Sequence, residues 1–203
     1  PEALLMTKNY TGFGSIYGTW ITATEPGMEW DRALLEYCRG ERNTPAWGIS
    51  TADFHEEGES GEKLGNFPTV FLVKKKTSEE VLLALKQGRM YACRSGNNFQ
   101  RFVLEDFSAL DSNKNIRANM GETLELKNQP EIKIRVSSSD DGVHDIDVRI
   151  IRSGKLIKTI SKKTPFVVDF KDDYFNPGEL IYYRLDIPGR LVSNPIFVQF
   201  GRE

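Results

Sequence analysis

Apolar and polar positions follow two different rhythms along the 203 residues of this chain. In the first half a helical period shows twice. Over 28–39, Trp30, Leu34, Leu35 and Cys38 recur at helical spacing, with Glu29 and Asp31 in the first turn, where the helix dipole favours acids, and Gly40 just beyond the end. That pattern predicts a helix. A second helix is expected from Thr77, an N-cap with Glu80 three residues on, to about Gln87, where Gly88 stops it; Val81, Leu82 and Leu85 are to form one buried stripe. Short apolar runs at 3–7, 46–53 and 69–73 predict strands, and the Gly- and Tyr-rich stretch 10–17 predicts a loop.

From about Arg101 the helical period disappears. Short, mostly alternating runs centred on Val103, Glu125, Ile134, Val148, Leu156, Val167, Tyr182 and Phe197 follow one another, separated by turn signals at Asp141-Gly142, Ser153-Gly154 and Asn176-Pro177-Gly178. Such spacing argues an antiparallel sandwich of immunoglobulin-like type. The change of rhythm divides the chain into two expected domains, 1–98 and 99–203, within the usual size range of about 50–200 residues each. No internal repeat or low-complexity tract is visible.

Composition narrows the function classes. With 39% hydrophobic and 28% charged residues and a formal net charge of -2, the chain carries no overall field favouring nucleic acid or anionic lipid. Lys74-Lys75-Lys76 reads as a solvated strand end. Cys38 and Cys93 form no Cys-x-x-Cys pair, which argues against a disulfide framework or zinc knuckle and for reduced, half-buried thiols. No run reaches the roughly 18 apolar residues of a membrane span, and no signal-peptide pattern opens the chain, so a soluble, cytoplasmic setting is favoured. The chain opens on Pro1, which leads to the expectation that it was processed or cut from something longer.

The residues that carry candidate chemistry are Asp53 and His55. On a strand, side chains two apart share a face, so an Asp-x-His pair presents a carboxylate and an imidazole to one metal or to two neighbouring metals. Two ligands do not complete a site, because a catalytic zinc takes about three protein ligands and an open position. Glu56, Glu57, Glu59 and Glu62 read as a charged loop rather than as further ligands. Asp140, Asp141, Asp145 and Asp147 lack the ligand spacing of a calcium loop and read as a hairpin turn, with His144 as a loop residue beside them. Trp20, Trp30 and Trp47 read as core rather than as a sugar platform.

The succession Trp47-Gly48-Ile49-Ser50-Thr51-Ala52-Asp53-Phe54-His55, Leu64-Gly65, Pro68-Thr69-Val70, Thr77-Ser78-Glu79-Glu80, Ala84-Leu85 and Gly88-Arg89-Met90-Tyr91 resembles the C-terminal end of the polymerase and histidinol phosphatase (PHP) family. The resemblance covers about the second quarter of the chain. It implies a distorted (β/α)7 barrel, two or three divalent metals (zinc, manganese or iron) that activate hydroxide against phosphoesters, and Asp53 and His55 as the last metal-binding motif. The back half is similar to the sandwich appended to some members, with Tyr182-Tyr183-Arg184 and Val192-Ser193-Asn194-Pro195-Ile196 as its closing strands. The family's opening His-x-His, middle glutamate and intermediate histidines have no match, since His55 and His144 are the two histidines of the sequence.

The fold expected from all this is the α/β C-terminal segment of a PHP-type (β/α)7 barrel over 1–98, followed by the sandwich over 99–203. The expected function is that of a C-terminal fragment of a metal-dependent phosphoesterase, inactive alone because the other ligands lie upstream. Its first partner is then the missing N-terminal part of the barrel, and uncovered strand edges make a homo-oligomer a second expectation. The competing reading is a non-catalytic module whose sandwich recognises a glycan or a protein.

Overall fold

The structure is a computed structural model that describes residues 2–17, 22–52, 54–56, 63–96, 100–111 and 116–202. It opens with a one-turn helix α1, Ala3–Met6, instead of the expected strand. Ala, Leu and Met all favour helix, and Arg42 and Tyr10 hold the turn by donating to the Leu4 carbonyl. Next comes β1, Gly12–Tyr17, where the glycines had suggested a loop. These glycines permit close approach: a Cβ on Gly12 would stand 2.6 Å from the Trp47 carbonyl oxygen, and one on Gly14 would stand 2.7 Å from Thr51 Oγ1.

A short 3-10 turn, Thr22–Thr24, leads to α2, Glu29–Cys38, and then to β2, Trp47–Thr51, which pairs with β1 in parallel. The unit β1–α2–β2 is thus a parallel crossover through a helix, with Trp30, Ala33 and Leu34 of the helix fully buried beneath it. Beyond it, β3 (Thr69–Phe71), α3 (Ser78–Gln87) and β4 (Met90–Cys93) follow. Thr77 caps α3 as expected, its hydroxyl accepting from the Glu80 N–H, and Gly88 ends the helix at φ 70°. The α3 stripe is only partly covered. Ala84 is buried, but Leu82 and Leu83 are 55% and 41% exposed.

The remaining strands are β5 (Phe102–Asp111), β6 (Ile116–Asn119), β7 (Thr123–Leu126), β8 (Glu131–Ser138), β9 (Asp145–Arg152), β10 (Lys155–Lys163), β11 (Phe166–Lys171), β12 (Leu180–Ile187), β13 (Leu191–Ser193) and β14 (Ile196–Phe200). One sheet runs β11-β8-β5-β6. The larger runs β10-β9-β12-β13-β4-β3, with β14 on β12 and β7 on β14. Alternate residues of the two sheets, among them Phe107, Ile134, Val148, Leu185 and Val198, meet in one apolar core, which makes this half a β-sandwich.

The PHP-type (β/α)7 barrel segment expected over 1–98 is corrected by this architecture. The chain is mostly β, its sheets are open, and they do not form such a barrel. The reason lies in the partners of β4. Although α3 connects β3 to β4, the two strands run antiparallel, and the other edge of β4 pairs antiparallel with β13 through Leu191↔Cys93, Val192↔Ala92 and Ser193↔Tyr91. A barrel needs a parallel neighbour there. Strands from 1–98 and from 99–203 consequently share one continuous sheet. Among the described residues no helix is long and apolar enough to cross a membrane.

Candidate functional site

Because β1 and β2 are parallel, their C-terminal ends fall on one edge, with Tyr17 paired to Thr51. The end of β4 is brought to the same edge by the Ser50 hydroxyl, which donates to the Cys93 carbonyl at 2.9 Å, while the Ser50 N–H donates to Thr69 Oγ1 at 3.0 Å. Ser15, at the irregularity in β1, donates to the Ile49 carbonyl at 3.1 Å. Hydroxyl side chains thus tie three strand ends together. Four residues past the end of β2, on the exposed segment that leaves this edge, stands His55.

Asp53 lies outside the described residues, as do Glu57, Glu59 and Glu62. The ladder ends at Thr51, four residues before His55. Glu56 is exposed. Among the described residues no group of three or more His, Cys, Asp or Glu side chains is placed to hold a metal. His55 by itself does not fit a complete metal centre.

The edge is positioned from behind by a residue of the back half. Asn194 is fully buried, and its side chain fills the gap between β2 and β4. Its Oδ1 accepts from the Gly48 N–H at 2.7 Å, and its Nδ2 donates to the carbonyls of Gly48 and Met90, each at 3.0 Å. All three main-chain groups would otherwise be buried without a partner.

A second polar cluster fastens α2 to the sandwich. The Asp31 carboxylate, fully buried, accepts from Arg184 Nε at 2.6 Å and Nη2 at 2.8 Å, from the Tyr182 hydroxyl at 2.7 Å and from the Gly27 N–H at 2.7 Å. Arg184, itself fully buried, also donates to the Thr24 carbonyl and lies over the Trp30 ring. Asp186 stands 3.5 Å from Arg184 Nη1 and is held more closely by Arg149, at 2.5 and 2.9 Å. Burial pushes the Asp186 carboxyl up from its ordinary value, against the pull of Arg149 and Arg184. The cluster is closed to solvent, so its work is to hold the two halves in register.

The other candidates resolve into structural roles. His144 is half-buried rather than exposed; its Nε2 lies 3.0 Å from both carboxylate oxygens of Asp140 and its ring is edge-on to Phe102. Asp140 also accepts from the Ser138 hydroxyl and the Gly142 N–H, and these bonds, with His144, hold its carboxyl well below the usual range. Asp145 pairs with Lys163, and Asp147 accepts from Ser161, so these acids serve a hairpin. Trp30 and Trp47 are core residues, and Trp20 lies outside the described residues. Cys38 and Cys93 are free thiols that burial pushes up to about 12.

Sequence reasoning missed the roles of Asn194 and Arg184. Asn194 stood in view within Val192-Ser193-Asn194-Pro195-Ile196, matched there only to a closing strand; its partners are 146 and 104 residues away. No protein-family model matches the chain, and no curated protein is significantly similar to it.

Proposed function

We propose that this chain supplies one edge of a PHP-like phosphoester-hydrolysing centre, with Asp53 and His55 contributing to metal binding, and that it does not turn over substrate by itself. The observation that supports this most is the convergence of the β1, β2 and β4 ends at the edge from which His55 departs. Active-site residues of parallel βαβ units gather at the carboxyl ends of their strands. In such a hydrolysis a water oxygen attacks phosphorus, the ester P–O bond breaks, and the alcohol leaves with a proton. Asp53 and His55 cannot hold a catalytic metal cluster alone, so the reading assigns the other ligands to polypeptide outside these residues.

The test is metal analysis together with hydrolysis of 4-nitrophenyl phosphate. The 203-residue chain is expected to bind no stoichiometric zinc, manganese or iron and to show no turnover. A longer protein that supplies the remaining ligands is expected to bind metal and to lose it on His55→Ala. Turnover by the short chain that disappears in Asp53→Ala would refute the division of the site.

A second reading, a non-catalytic module that binds another protein, draws on the exposed Leu82 and Leu83 of α3. It predicts that the longer protein is equally metal-free. Retention of metal by that protein discards it.

A further inference from the structure

The turn between β8 and β9 and the end of β4 lie far apart in sequence, yet an unbroken run of hydrogen bonds joins them. It starts at His144, whose Nε2 lies 3.0 Å from both oxygens of the Asp140 carboxylate. Asp140 Oδ1 accepts from the Ser138 hydroxyl at 2.5 Å, and that hydroxyl accepts from Gln100 Nε2 at 2.8 Å. The other end of the Gln100 amide, its Oε1, accepts from Arg190 Nη2. Arg190 donates through Nε to the Arg94 carbonyl at 3.4 Å, and its own carbonyl accepts from the Arg94 N–H at 2.9 Å. Arg94 directly follows Cys93, whose carbonyl is held by Ser50 at the strand-end edge.

Each link has a direction. The Gln100 amide gives its N–H to Ser138 and takes one from Arg190, so turning it over loses both bonds; Ser138 has one proton to give, and it goes to Asp140. Packing follows the same path, since Arg190 lies over the Phe102 ring at 4.8 Å and His144 is edge-on to that ring at 6.1 Å. The turn is also tied to the start of β5: the Ser139 N–H donates to the Arg101 carbonyl and the Arg101 N–H to Ser139 Oγ, each at 2.9 Å. His144 is where the run can respond to pH, because imidazole ordinarily changes charge between pH 5 and 8. Protonated, it meets Asp140 charge to charge; neutral, it gives an ordinary hydrogen bond, about half as strong. Asp140 stays ionised across that range, its carboxyl held well below the usual values by Ser138, Gly142 and His144. The other charged groups at this end are Asp141 of the same turn, Asp145 and Lys163, which pair with each other at 3.3 Å, Arg101 at the start of β5, and Arg190 beyond the Phe102 ring.

From this geometry we propose that His144 and Asp140 form a pH-sensitive clasp at the end of the sandwich, which closes when His144 is protonated and fixes Gln100, Arg190 and through them the end of β4. Both are positioning residues. The clasp acts on the edge whatever that edge binds, so it is independent of the hydrolase reading.

The test is amide hydrogen exchange of the 203-residue chain from about pH 5 to 8, the range in which imidazole titrates, read by NMR at the Arg94 N–H and corrected for the exchange rate of an unstructured peptide at each pH. Protection at Arg94 is expected to fall at least about threefold as the pH rises, a charge-assisted bond being roughly twice as strong as a neutral one. The fall should run in step with the ring resonances of His144. In His144→Gln, which keeps a donor for Asp140 but does not titrate, the pH response is expected to vanish, and in Asp140→Asn to shrink. Protection at Arg94 that is independent of pH in the wild type, or out of step with His144, would overturn the proposal without recourse to any variant. An unchanged response in His144→Gln would overturn it too, tracing the effect to His55, the other histidine of the sequence, and so would an unchanged response in Asp140→Asn.

Discussion

Replacing Asp31 by alanine removes the acceptor of four hydrogen bonds, from Arg184 Nε and Nη2, the Tyr182 hydroxyl and the Gly27 N–H, all within 2.6–2.8 Å. Arg184 is then left fully buried with Asp186 as its nearest carboxylate, 3.5 Å from Nη1 and already bonded twice by Arg149. Breaking a buried ion pair from one side costs about 3–5 kcal/mol, because the surviving charge keeps its desolvation penalty without its partner. For a protein of this size each kcal/mol moves the melting temperature by about 2–4 °C, so a fall of about 6–20 °C is expected. Thermal and urea unfolding followed by circular dichroism measure it. The companion variant Asp31→Leu/Arg184→Met removes both charges, and replacing a buried pair by apolar residues is often neutral. It should recover at least half of the loss. A decrease below about 1 kcal/mol in Asp31→Ala, or a double variant as damaged as the single, would show that the pair does not hold α2 to the sandwich in the way argued.

Three further outcomes follow from local geometry. Gly88→Ala forces a Cβ into left-handed backbone at φ 70° and to within 2.4 Å of the Trp47 ring, so a loss of more than about 1 kcal/mol is expected, and unchanged urea unfolding would contradict it. Cys93, fully buried and with its thiol pKa raised to about 12, is expected to react with a disulfide reagent at pH 8 only as the protein unfolds; rapid native-state release of that thiol would refute its burial. The Asp140 carboxyl, lowered by Ser138, Gly142 and His144, contributes stability that is present above its unfolded pKa and lost as pH falls through the folded value. The acid-side fall in melting temperature below about pH 4 should therefore be smaller in Asp140→Asn, and an identical profile would exclude that contribution.

What could be read from the sequence was what local chemistry decides. Helix α3 was visible because Thr77, Glu80 and Gly88 act within one turn of its ends, and strands β8 and β9 because their residues alternate against a single core. Strand β1 was hidden because Gly12 and Gly14 look like loop residues until Trp47 and Thr51 are placed against them. The barrel expectation failed for a related reason. The order of strands and helices in 1–98 suits a barrel, but the fold is decided by β4 taking β13 as its neighbour, a pairing of residues such as Cys93 and Leu191 that no local pattern announces. The same holds for the site. Asp-x-His is a local motif and was seen, whereas Asn194 and Arg184 acquire their roles only through contacts across the chain.

That dependence gives the back half a part in whatever the edge does, and Asn194 is where it can be tested. Alanine in its place leaves the Gly48 N–H and the Gly48 and Met90 carbonyls without their partner in a dry interior. Each unpaired buried group costs about 1–3 kcal/mol, so a loss of at least about 3 kcal/mol is expected. An aspartate there would be no remedy. Asn194→Asp keeps an acceptor for Gly48 but turns a second oxygen toward two carbonyls, so it should destabilise at least as much as Asn194→Ala despite its nearly identical shape. Because Gly48 and Met90 lie in β2 and β4, whose Ser50 and Cys93 meet at the edge, the damage should reach the edge as well as the fold. Wild-type stability in Asn194→Asp would mean that β2 and β4 are held together by something other than this amide, and that the sandwich does not position the edge.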